Sequence, residues 1–97
     1  MSTYILLANY TEQGIKNVKD SPKRLDAARD LARTCGAELT DFYLTMGAYD
    51  IVATVEAPND EAVARFVVTL GSLGNVRTTT LKAFTEQEFR DVIQSLP

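Results

Sequence analysis

The chain has 97 residues, 45% of them apolar, and ten basic against thirteen acidic side chains give it a net charge of −3. That length allows a single domain over 1–97, and the acidic balance argues against a nucleic-acid binder, whose footprint is basic. One cysteine, Cys35, and no histidine exclude an intrachain disulfide, a Cys/His zinc site, histidine-ligated haem and a histidine-activated nucleophile.

The residues call for no cofactor and no metal. No apolar run approaches the ~20 residues of a membrane span. No charged segment followed by a long apolar stretch opens the chain, so the expected location is the cytoplasm. Charge is uneven: six basic against four acidic residues through Gly36, four against nine beyond it. Opposite-signed halves can meet within one fold or between subunits.

Thr3 to Tyr10 reads as a strand, short and rich in aromatic and β-branched residues. Both of its alternating sets are apolar, Tyr4, Leu6 and Ala8 on one side and Ile5 and Leu7 on the other, so it wants cover on both faces. Thr11 to Lys19 is polar and reads as a loop or one helical turn. Ser21-Pro22 then predicts a helix start, with Ser21 as N-cap and Pro22 in the first helical position. Leu25, Ala28, Ala32 and Cys35 form its stripe, with Leu31 beside it, and Gly36 closes it.

Glu38 to Thr45 and Tyr49 to Glu56 predict two strands joined by a tight Gly-containing turn, a β-hairpin. In the later strand Ile51, Ala53 and Val55 make one wholly apolar face. Pro58-Asn59-Asp60 opens a second helix whose stripe is Val63, Phe66, Val67 and Leu70, ending at Gly71. Gly71 to Asn75 is the most turn-rich loop. Val76 to Phe84 predicts the last strand. A terminal helix follows, with Thr85 and Glu88 as a capping box and Phe84 and Phe89 as a hydrophobic staple. Its apolar side is Phe89, Val92, Ile93 and Leu96, expected to pack on its own subunit or on a neighbour.

The order β-α-β-β-α-β plus a terminal helix predicts an α+β, ferredoxin-like domain, an antiparallel sheet with both main helices on one face. The other face keeps too many apolar residues to stay in water. Pairing two such faces as a dimeric α/β-barrel buries them, so a homo-oligomer is the expected state.

Three stretches carry a family resemblance: Gly14-Ile15-Lys16-Asn17-Val18-Lys19-Asp20-Ser21-Pro22-Lys23-Arg24, Tyr43-Leu44-Thr45-Met46-Gly47 with Tyr49-Asp50, and Leu70-Gly71-Ser72-Leu73-Gly74-Asn75-Val76-Arg77-Thr78. With Ala83-Phe84-Thr85 they cover nearly the whole chain, which resembles the GYD-domain proteins, small bacterial proteins. Ala48 separates Gly47 from Tyr49, so Gly-Tyr-Asp is not contiguous. The resemblance implies a ferredoxin-like, dimeric α/β-barrel relative and no defined activity.

Tyr49 and Asp50 are the candidate acid and base; equally, Asp50 can accept backbone N–H groups and fix the turn. Lys16, Lys19, Lys23 and Arg24 surround a helix start, where an anion can bind, and Arg77 with Thr79 can join them from the last strand. A solvated basic face explains the same residues. Gly71 to Asn75 leads from helix to strand, the wrong direction for a phosphate-cradling loop. Cys35, on the apolar stripe, reads as an inert thiol. Three functions compete: a homo-oligomeric module for a small anionic ligand, a small cofactor-independent enzyme using Tyr49 and Asp50, and an assembly or interaction protein. Partners outside these, nucleic acid and membrane, are not expected.

Overall fold

A computed structural model describes residues 1–97. Four strands, β1 (Ser2–Tyr10), β2 (Glu38–Leu44), β3 (Ile51–Ala57) and β4 (Val76–Ala83), form one sheet in the order β2-β3-β1-β4. Every neighbouring pair is antiparallel. The helices are a short α1 (Glu12–Lys16), α2 (Ser21–Thr34), α3 (Asp60–Ser72) and α4 (Glu86–Gln94). This is the predicted ferredoxin-like arrangement. No helix is long and apolar enough to cross a membrane.

The period of two along β1 decides what each face does. Tyr4, Leu6 and Ala8 are buried under the helices, opposite Val55, Ala53 and Ile51 of β3. Their neighbours on β4 are Lys82, Thr80 and Thr78. The core is closed where Val55 and Ala57 meet Ala62, Val63 and Phe66 of α3, and there it is almost fully sealed. Ile5, Leu7, Val52 and Leu81 point the other way, onto a face that no element of the chain covers.

Two local starts differ from expectation. A 3-10 turn, Val18–Asp20, runs directly into α2, so Ser21 is already helical and Asp20 occupies the N-cap position without a side-chain bond. The Ser21 hydroxyl is instead engaged by Tyr10 and Arg24. The hairpin end is also wider than a tight turn. Thr45 to Asp50 lies between the strands, tied by the Thr45 amide donating to the Asp50 carbonyl at 2.8 Å and by the Thr45 hydroxyl donating to the Tyr49 carbonyl at 2.6 Å. Gly47 supplies the positive φ of 133° that this path needs.

α4 forms as the sequence predicts. The Glu88 amide donates to Thr85 Oγ1 and the Thr85 amide donates to Glu88 Oε1, completing the capping box. That backbone bond, helped by the Thr85 hydroxyl, holds the Glu88 carboxyl below its ordinary value. The helix nonetheless buries none of its residues: Phe89, Ile93 and Leu96 are 56%, 49% and 60% exposed.

Candidate functional site

α2 lies less closely on the sheet than its stripe suggests. Only Ala32 is fully buried, while Leu25, Leu31 and Cys35 are half-buried against the core. The reason is the size of the facing side chains. Ala28 of α2 looks across at Ala8 and Ala53 of the sheet, and small residues on both sides leave a gap. The result is a cavity of about 430 Å³ between helices and sheet, inside the ~300–1,000 Å³ range of small-molecule sites. Phe42 and Leu39 wall it on the β2 side, and Leu70 and Leu73 on the α3 side.

Besides Thr69, Asn75 and Thr78, three polar residues of the lining are joined by hydrogen bonds at one edge. The Tyr10 and Ser21 hydroxyls lie 2.9 Å apart. Arg24 donates to Ser21 Oγ at 3.1 Å, to the Gly14 carbonyl at 3.1 Å and to the Asn17 carbonyl at 2.9 Å. All three residues line the cavity, and Arg24 is its one charged residue.

A clasp between α1 and the loop after α3 closes this end. The Thr11 amide donates to the Asn75 carbonyl at 3.1 Å, and its hydroxyl to the Gly74 carbonyl at 2.6 Å. The Gln13 amide group reaches the Leu73 carbonyl and the Asn75 side chain. Gly14 makes the approach possible: a Cβ there would stand 1.9 Å from the Asn75 carbonyl oxygen. Gly74, at φ 85°, supplies the positive φ of this loop.

The candidate residues separate in space. Asp50 does not face the cavity. Its carboxylate accepts the Tyr10 amide at 2.9 Å, and its own amide donates to the Ala8 carbonyl and to Asn9 Oδ1. It therefore fixes the backbone that carries Tyr10. Tyr49 sits beside it, and its hydroxyl makes no hydrogen bond. Lys16 is exposed and lies 4.0 Å from Glu12, and Lys23 is exposed. Arg77 and Thr79 alternate with Thr78 and so occupy the uncovered sheet face, opposite to Arg24. Lys19 is exposed as well, and of the six ligand-binding candidates only Arg24 lines the cavity.

A second polar cluster has no signal in any one segment. At the other end of the helix face the Tyr4 hydroxyl donates to Asp60 Oδ1, and Lys82 Nζ reaches the same oxygen at 3.4 Å. The ammonium also stands 5.0 Å from the centre of the Tyr4 ring. The hydrogen bond from Tyr4, and next the charge of Lys82, hold the Asp60 carboxyl below its ordinary range. The same hydrogen bond, with burial and the Asp60 charge behind it, raises Tyr4. Partial burial pulls Lys82 down, but attraction to Asp60 and Tyr4 outweighs it and the ammonium is raised. Tyr4 and Asp60 are 56 residues apart, so only the β1–β4 register, which sets Tyr4 beside Lys82, would have signalled the group.

The sequence model described as the GYD domain matches residues 4–93. A Thermus thermophilus protein named glutamine synthetase and cystathionine beta-lyase binding protein is 36% identical over 84 residues, covering 86% of this chain and 88% of its own. Among solved structures, TTHA0845 from Thermus thermophilus superposes with a TM-score of 0.57 at 27% identity, covering 87% of this chain and 94% of its own. MtbAldR superposes with a TM-score of 0.68 at 20% identity, over 88% of this chain. This chain spans about half of MtbAldR (52%), and the likeness is one of fold.

Proposed function

We propose, for a chain that belongs to the GYD-domain family, that it is a homo-oligomeric binding module holding a small anionic molecule between sheet and helices. The observation that carries this reading is the 430 Å³ cavity, apolar in its walls and edged by Tyr10, Ser21 and Arg24. Binding suits it better than turnover. The acid–base candidates Tyr49 and Asp50 lie outside the lining, and Asp50 is engaged by the Tyr10 amide. The oligomer is supported by the uncovered sheet face with Ile5, Leu7, Val52 and Leu81 and by the bare apolar side of α4. Two such faces pressed together remove both from water.

Native mass spectrometry of the protein as purified tests this reading. The expected spectrum is an oligomer with a discrete retained mass, lost in the cavity-filling variant Ala28→Phe. A single-chain mass would overturn the account of the open face. An oligomer that retains nothing, and that no metabolite stabilises in a thermal-shift screen, would overturn the ligand.

The Thermus relative's name favours a second reading, in which the protein docks on enzymes of amino-acid metabolism. Tyr43, Leu44 and Met46, at 60%, 73% and 99% exposure on the hairpin end, offer an apolar contact for such docking. A pull-down of purified glutamine synthetase and cystathionine beta-lyase from the same source, with Met46→Asp as control, tests it. Failure to capture either enzyme would dismiss it.

A further inference from the structure

We propose that the cavity ligand is a monocarboxylate with a compact apolar body, its carboxylate held by Arg24 together with the Tyr10–Ser21 hydroxyl pair. This deepens the small-molecule reading above and rests on it.

Charge is the first argument. Arg24 is the one charged residue of the lining, and it forms no ion pair. Its hydrogen bonds go to two backbone carbonyls and a hydroxyl, all neutral. A half-buried cation beside apolar walls favours an anion over a neutral or cationic guest. No carboxylate in the lining would receive an amine.

Donor geometry is the second. A guanidinium has five N–H groups. Three are engaged, leaving Nε–H and one Nη1–H without a partner. The hydroxyls of Tyr10 and Ser21 share one hydrogen bond. Two hydroxyl hydrogens serve that single bond, so whichever donates, the other is free. Arginine and one hydroxyl then offer donors for both oxygens of a carboxylate.

Size and charge count are the third. The 430 Å³ space is walled mainly by aliphatic side chains and Phe42, which demands an apolar body. A phosphate ester would bring up to two negative charges to one arginine. The nearby Lys16 and Lys23 are exposed and outside the lining, so they do not balance the second.

Isothermal titration of the full chain with octanoate, octanamide and octylamine tests the proposal. Octanoate binds, octanamide binds roughly 10–100-fold more weakly, and octylamine more weakly still. Arg24→Gln brings octanoate down to the level of octanamide. Because Arg24 also holds two backbone carbonyls, Tyr10→Phe combined with Ser21→Ala serves as a second variant: it removes both hydroxyls of the pair, and it lowers octanoate affinity while leaving octanamide nearly unchanged. Ala28→Phe abolishes binding of both, which locates them in the cavity. Equal affinity for acid and amide, or a preference that survives both Arg24→Gln and the Tyr10→Phe/Ser21→Ala double variant, overturns the carboxylate while leaving the pocket. Absence of octanoate binding overturns it as well. The pocket reading falls separately, if the native protein retains no mass that Ala28→Phe removes and no metabolite stabilises it in a thermal-shift screen.

Discussion

Replacing Gly14 by alanine sets two effects of known sign against each other. Alanine is the better helix former by about 1 kcal/mol, so on local grounds the variant gains. The structure says it loses. The new methyl would lie 1.9 Å from the Asn75 carbonyl oxygen and 2.9 Å from its carbon, where ordinary contact begins at 3.4 Å. The obstacle is backbone, so α1 and the loop must part by about 1.5 Å to restore normal contact. The Thr11–Asn75 and Thr11–Gly74 bonds, now 3.1 and 2.6 Å, do not survive such a shift. Losing two hydrogen bonds at about 1 kcal/mol each and adding overpacking of about 1–3 kcal/mol exceeds the helical gain. The net expectation is a loss of about 2–4 kcal/mol, or a Tm lower by roughly 8–32 °C for a chain of this size. Calorimetry at one fixed protein concentration measures it, since any assembly would make Tm depend on concentration. A Gly14→Ala protein as stable as the parent, or more stable, would refute the clasp as the reason for glycine.

Asp50→Ala removes the acceptor of the half-buried Tyr10 amide, and urea unfolding should show a loss of about 1–2 kcal/mol; Asp50→Asn, which keeps an oxygen, should lose less. Asp60 and Glu88 carry depressed carboxyl groups. Their contribution is therefore complete above their ordinary values of 3.8 and 4.5 and fades as pH falls below them. Acid unfolding followed by circular dichroism should be shallower below about pH 3.8 in Asp60→Asn than in the parent, and identical curves would detach Asp60 from acid stability. Leu7→Asp puts a charge at the middle of the open sheet face. Sedimentation should then show the mass of a single folded chain, and an unchanged oligomer would mean that this face is not the one that pairs.

Whatever depends on periodicity was legible in the sequence. β1, β3 and α3 carry strong apolar alternation or stripes, and their residues sit where the pattern places them. The capping box of α4 was readable because Thr85 and Glu88 are close in the chain. Ser21 misled because the 3-10 turn before it already supplies helical backbone, leaving the hydroxyl to tertiary partners. The cavity was hidden for another reason. An alanine on a helical stripe reads as core, and only the sheet residues opposite decide whether it is filled. Ala28 facing Ala8 and Ala53 makes a gap that no single segment announces. Arg77 was grouped with Arg24 by charge, whereas the β1–β4 register turns it to the other side of the sheet.

The exposed side of α4 bears on how long the protein lasts. Nine residues fall short of the ~12–15 that an isolated helix needs to hold in water, and its cap supplies only part of the difference. The remainder must come from burying Phe89, Val92, Ile93 and Leu96 against another surface. If that surface belongs to a second copy, mass action links the order of the tail to the amount of protein present. A dilute chain frays at its end and offers proteases an unfolded entry. In that case a concentrated one would close it, and abundance itself would set the rate of turnover.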